Sequence, residues 1–85
     1  MLTVCCYSLA NSETSIEIPF ESRILYVGFN EYVQLFVEVN EMFRTRKRTF
    51  KIIKTGESFD YKAKYIGTVF SHISYVHIYE IPTST

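Results

Sequence analysis

The chain contains no tryptophan, and glycine, proline and cysteine are scarce, at three, two and two in 85 residues. Each scarcity excludes something. Gly28, Gly56 and Gly67 stand apart from one another, so there is no glycine-rich loop to cradle a phosphate. Cys5 and Cys6 are adjacent. A disulfide between them would close a small strained ring, so reduced thiols of a cytosolic protein are the expected state. The only histidines, His72 and His77, lie far along the chain, and the set lacks the spacing of a zinc site. No metal or other cofactor is expected. The start, Met1 to Tyr7, has no positive region and too short an apolar run for a signal peptide or a membrane span. Action in a cytoplasm, away from membranes, follows as the expectation. No long stretch carries an apolar stripe at helical spacing with caps, so a substantial helix is excluded.

Charge of one sign is also missing: nine Lys and Arg balance nine Asp and Glu. A free-standing nucleic-acid binder held by bulk electrostatics normally carries a basic excess. The distribution is less even than the sum. Residues 1–43 hold six acidic side chains (Glu13, Glu17, Glu21, Glu31, Glu38, Glu41) and one basic, Arg23, whereas residues 44–85 hold eight basic and three acidic. Only the fold decides whether this polarity survives in space.

What the chain has is apolar and aromatic material, 47% and 16% of residues, with seven Phe and seven Tyr. That is generous for a single domain, residues 1–85, of a size that gains only one core. Period-two alternation dominates. Ile16, Ile18 and Phe20 share a face of 14–20, with Glu17 opposite, and Pro19 should end that strand or place it at an edge. Residues 24–29 are apolar almost throughout and read as a central strand covered on both faces. After a break at Asn30-Glu31, positions 33, 35, 37 and 39 share a face of 32–39, which is a hairpin signal. Residues 40–47 read as a loop with at most one helical turn, followed by a strand at 48–54. Thr55-Gly56-Glu57 is turn chemistry, and 57–63 is a polar connection. Strands at 64–70 and 74–81, joined by Ser71-His72-Ile73, form a second hairpin candidate, and 82–85 reads as a frayed tail. With a first strand at 3–9, the expectation is an all-β antiparallel sandwich or small barrel of six to seven strands.

With the strands placed, a sequence of short motifs emerges: Ile18-Pro19, Ile24-Leu25-Tyr26-Val27, Arg48-Thr49-Phe50-Lys51-Ile52, Thr55-Gly56, Tyr65-Ile66-Gly67-Thr68-Val69 and Val76-His77-Ile78-Tyr79-Glu80. Over residues 14–80 the chain resembles a family of small proteins of about this length encoded by tailed bacteriophages and prophages. That family has no assigned activity. The chain departs from its pattern at Phe43-Arg44-Thr45-Arg46-Lys47, where a more acidic, proline-containing stretch stands, and in lacking an aromatic residue before His77. The resemblance implies action inside an infected bacterium and adds no catalytic residue.

Two candidate surfaces remain. Arg44, Arg46, Lys47 and Arg48 form a basic loop that would hold the phosphates of a nucleotide or nucleic acid through guanidinium contacts, or simply balance the acidic half. Aromatic residues interleave with this half at Phe50, Phe59, Tyr61, Tyr65, Phe70, Tyr75 and Tyr79. On the last strand Tyr75, His77 and Tyr79 share one face and Val76 and Ile78 the other. If exposed, the first face is a recognition strip; if the strand is central, it is core with satisfied polar tips. His77 has only Glu80 nearby in sequence, at the wrong parity for an acid–base pair, and adjacent cysteines in a strand point to opposite faces. No catalytic residue is assigned. The expectation is a non-enzymatic phage protein that binds a host protein, as an inhibitor or counter-defence factor. The alternatives are a nucleotide or nucleic-acid binder and a minor virion or assembly component, with homo-oligomerisation through β edges also compatible.

Overall fold

The computed structural model describes residues 1–60 and 62–82. Tyr61 lies outside the described residues, as does the expected frayed end beyond Pro82. Seven strands follow in order: β1 (Leu2–Leu9), β2 (Glu13–Pro19), β3 (Arg23–Asn30), β4 (Tyr32–Asn40), β5 (Thr45–Lys54), β6 (Lys64–Ser71) and β7 (Ser74–Ile81). All pairings are antiparallel. They build a three-stranded sheet, β1-β4-β3, and a four-stranded sheet, β2-β5-β7-β6. Of the two architectures expected, the sandwich is the one formed, and its shortest dimension of 17 Å accommodates two stacked sheets. Among the described residues there is no helix, hence none long and apolar enough to cross a membrane.

Parity builds the core. Val33, Leu35, Val37 and Val39 turn the same face of β4 inward and are all buried. Ile18, Phe50, Val76 and Ile78 answer them from the four-stranded sheet, and Leu9 and Val27 complete the cluster. Fully burying side chains of this size contributes about 1.5–3 kcal/mol each.

Both expected hairpins form, β3-β4 and β6-β7. Glu31 alone separates the paired Asn30 and Tyr32, at φ 68°, and His72 turns the second hairpin at φ 54°. Gly56 takes φ 94° in the expected turn, where the Glu57 N–H donates to the Lys54 carbonyl. β2 ends at Pro19 and is an edge strand, as proline demands.

Two expectations fail. Residues 24–29 are not a central strand covered on both faces, because β3 is an edge and its sheet has only one covered side; Tyr26 is 65% exposed. The central strand of that sheet is β4. Nor is 40–47 a loop throughout: β5 begins at Thr45, since its ladder with β2 runs on to Pro19↔Thr45 and draws Arg46 and Lys47 into the sheet. Backbone pairing there replaces the apolar periodicity that the sequence lacks.

On the β3/β6 side the sheets approach closely. A Cβ on Gly67 would lie 2.8 Å from Val27 Cγ2 and 3.3 Å from Val27 Cβ, and valine has no flexible end to move away. Gly67→Ala should therefore destabilise the fold by roughly 1–3 kcal/mol, as overpacking does. Val27→Ala in the same chain should recover part of that loss, a coupling that denaturant melts of the double-mutant cycle measure.

Tyr7 faces inward on β1, and burial raises its phenol above the ordinary value of 10.0, with neighbouring Cys5 adding to the effect. The folded state thus holds this proton more tightly than the unfolded chain. Its contribution to stability is complete below the ordinary tyrosine value and is lost as pH rises through the raised one. Phenolate absorbance should show Tyr7 titrating late, a component that Tyr7→Phe removes, with stability declining over the same interval.

Candidate partner-binding surface

The four basic candidates separate once β5 is a strand. Odd residues of β5 face outward and even residues inward, so Lys47 and Arg46 point to opposite sides. Arg44 is exposed in the turn before β5, and its carbonyl accepts the Phe20 N–H at 2.9 Å. Arg46 is exposed with its guanidinium 5.7 Å from the centre of the Phe20 ring. Lys47 stands opposite Glu17 across the β2–β5 ladder, and Lys51 opposite Glu13. Folding thus sets the acidic first half against the basic second half.

Arg48 does not belong to a basic loop. Among the described residues it is the one charged residue that is buried, at 9% exposure, and it points into the sandwich beside Phe50. Its Nε and Nη2 donate to Oε2 and Oε1 of Glu80, both at 2.7 Å, in a two-pronged fork across β5 and β7. Such charge-assisted pairs are strong in geometry but costly to break, because the surviving partner is left buried and uncompensated. The fork closes one end of the core. Arg48 is therefore a structural residue, committed before any ligand arrives.

The aromatic candidates divide differently. Val76 and Ile78 are buried in the core, so Tyr75, His77 and Tyr79 lie on the outer face of the four-stranded sheet, as their parity requires. Tyr75 is 59% exposed, while His77 and Tyr79 are half-buried. The connection after β5 folds back over this face and lays Phe59 against Tyr79, ring centres 4.3 Å apart, above the buried Ile53. The strip is thus neither wholly exposed nor core: one end is roofed by the chain itself and the other is open.

Residues that sequence reading did not place in the strip enlarge it. The β6–β7 register sets Phe70 opposite Tyr75 and Tyr65 opposite Tyr79. Phe70 and Tyr75 meet edge to face at 5.1 Å, and Tyr65 and Tyr79 at 5.5 Å. Phe70 and Tyr65 are more than half exposed. Between these pairs His77 is gripped on both ring nitrogens, with Thr68 Oγ1 at 3.0 Å from Nδ1 and Thr55 Oγ1 at 2.9 Å from Nε2. One direction of donation satisfies every group. Tyr65 O–H donates to Thr68 Oγ1, Thr68 to Nδ1, Nε2–H to Thr55 Oγ1, and Thr55 to the Tyr75 carbonyl. Both ring nitrogens of the histidine are engaged.

Which of Phe70 and Tyr65 would join the strip depended on the β-bulge between Tyr65 and Gly67, which shifts the register by one residue and has no signature beyond Gly67 itself. The faces of β6 then follow. Over residues 1–85 the chain matches the sequence model of a family described as "Domain of unknown function (DUF7352)". The chain belongs to that family. The match extends over the entire sequence, beyond the 14–80 span of the motif resemblance, and like that resemblance it carries no activity. No curated protein and no solved structure matches the chain.

The fork and the strip make separable predictions. Glu80→Ala should cost about 3–5 kcal/mol by stranding Arg48, whereas replacing both residues by apolar ones of similar volume, Arg48→Met with Glu80→Leu, should cost far less. Urea midpoints of the parent and the two variants test this, and equal losses in both variants would deny the pairing its role.

Proposed function

We propose that this chain is a non-catalytic binding protein whose docking surface is the open end of the outer aromatic face, Tyr75 and Phe70, with the exposed Tyr65 along the same face, and whose partner is another protein. The observation that carries this reading is the Phe70–Tyr75 pair, two large rings packed edge to face on the β6–β7 hairpin, each more than half exposed. Tyrosine-rich patches of this kind supply binding area at little entropic cost, and they anchor protein interfaces more often than chance. The motif resemblance supports a partner in a phage-infected bacterium, a host factor that the chain would occupy in an inhibitory or counter-defence role.

The nucleic-acid and nucleotide reading is the weaker one. It relied on four cations in a loop, of which Arg48 is spent in the Glu80 fork and Lys47 faces Glu17 on the opposite side from Arg46. Arg46, Arg48 and Lys64 do line one shallow cleft of about 400 Å³, but Glu80 sits among them.

A tagged pull-down from infected or expressing bacteria compares the two readings. Tyr75→Ala and Phe70→Ala, both exposed and compatible with folding, should each weaken a stoichiometric protein companion by ten-fold or more, while Arg44→Ala with Arg46→Ala and Lys47→Ala leaves it unchanged. The reverse pattern, with affinity falling steeply as salt rises, would favour a phosphate-bearing ligand instead.

A further inference from the structure

A sandwich of two open sheets has four edge strands, here β1 and β3 in one sheet and β2 and β6 in the other. Unpaired backbone donors and acceptors along an edge are a template for another strand, and proteins usually blunt them with charge, proline or a bulge. Three of these edges are blunted. β2 carries Glu13, Glu17 and Pro19, the last without an N–H to offer. β3 carries Arg23 and a bulge between Ile24 and Tyr26. β6 carries Lys64 and the bulge between Tyr65 and Gly67, and the contact of Gly67 with Val27 turns β3 and β6 toward each other.

β1 has none of these devices. Leu-Thr-Val-Cys-Cys-Tyr-Ser-Leu contains no charge and no proline, and its register against β4 runs through eight consecutive pairs without a shift. Among the described residues its backbone bonds to β4 alone, so its far edge has no partner within the chain. Beside that edge the outer face of the sheet is mixed: Leu2 and Val4, 62% and 59% exposed, stand opposite Asn40 and Glu38, while Cys6 stands opposite Phe36, whose ring meets Tyr26.

We infer that β1 pairs with β1 of a second copy, antiparallel about a two-fold axis perpendicular to the sheet, joining two three-stranded sheets into one of six strands. The absence of charge selects the second copy as the occupant. In a two-fold pairing that keeps the faces in phase, seven of the eight residues of Leu2–Leu9 can meet another from the same segment, and a charged edge would set like charges near one another, whereas this one sets none. The axis keeps the two sides of the sheet in phase. Inward residues of the two copies then extend the core row, and outward Leu2, Val4 and Cys6 of one copy lie beside those of the other. One strand per copy is a small contact, below the roughly 1,200 Å² of ordinary stable interfaces, so the dimer forms with micromolar rather than nanomolar affinity. This pairing does not rest on the aromatic face, which lies on the other sheet.

Sedimentation velocity of the full chain from low-micromolar to near-millimolar concentration should show the 10.0 kDa species giving way to one of twice that mass. Val4→Lys and Ser8→Lys, both at exposed outer-face positions, should hold the chain monomeric throughout while circular dichroism stays that of the parent. Amide exchange at the two ends of the concentration range should gain protection within Leu2–Leu9 and at no other edge. A chain that stays monomeric, a dimer that both lysine variants leave intact, or protection gained at β2, β3 or β6 instead overturns the inference.

Discussion

The structure depends on a row of aliphatic side chains from one strand. Val33, Leu35, Val37 and Val39 occupy every inward position of β4, and every element of the opposite sheet is arranged to cover them. Because β4 is the middle strand of a three-stranded sheet, it fixes the register of β1 and β3 at the same time. A slip of one residue would turn the whole row to solvent. Phe50 and Ile78 fill the facing positions on β5 and β7, the two inner strands of the four-stranded sheet. The two sheets are therefore locked at their middles, and their edges are left to other devices.

Those devices differ in how far the sequence discloses them. Alternation in 32–39 and 74–81, the turn at Gly56 and the strand-ending role of Pro19 are local signals, and each is realised where it was expected. The failures are non-local. Whether 24–29 is central or at an edge depends on how many strands its sheet contains, which no window of residues encodes. The basic run from Arg44 to Arg48 reads as a loop because it lacks apolar periodicity, yet its ladder partners on β2 are nearly thirty residues earlier in the chain. For the same reason the fate of Arg48 was hidden. Only its position two residues before Phe50, at the same parity, hinted that it faced inward, and its counter-charge lies on the last strand.

Charge illustrates the same point at the level of the whole molecule. Along the sequence the acidic and basic halves look like the two poles of a dipole. In space the β2–β5 ladder interleaves them, Arg23 meets Glu38 on the outer face of the smaller sheet, and Arg48 meets Glu80 at the end of the core. Lys47, Lys51, Arg23 and Arg48 each stand against a carboxylate. What stands out instead is apolar: the aromatic pairs on the outer face of the larger sheet, and the uncharged edge of the smaller one.

The grip on His77 has a consequence for that aromatic face. A ring held by threonine hydroxyls on both nitrogens has no rotamer freedom left to lose, and Tyr65, tied to Thr68 by its own hydroxyl, has little more. The surface is thus ordered before anything touches it. Part of the entropic penalty that flexible side chains incur on association has been met during folding. A small domain with modest area to offer gains from that arrangement in proportion to how little area it has.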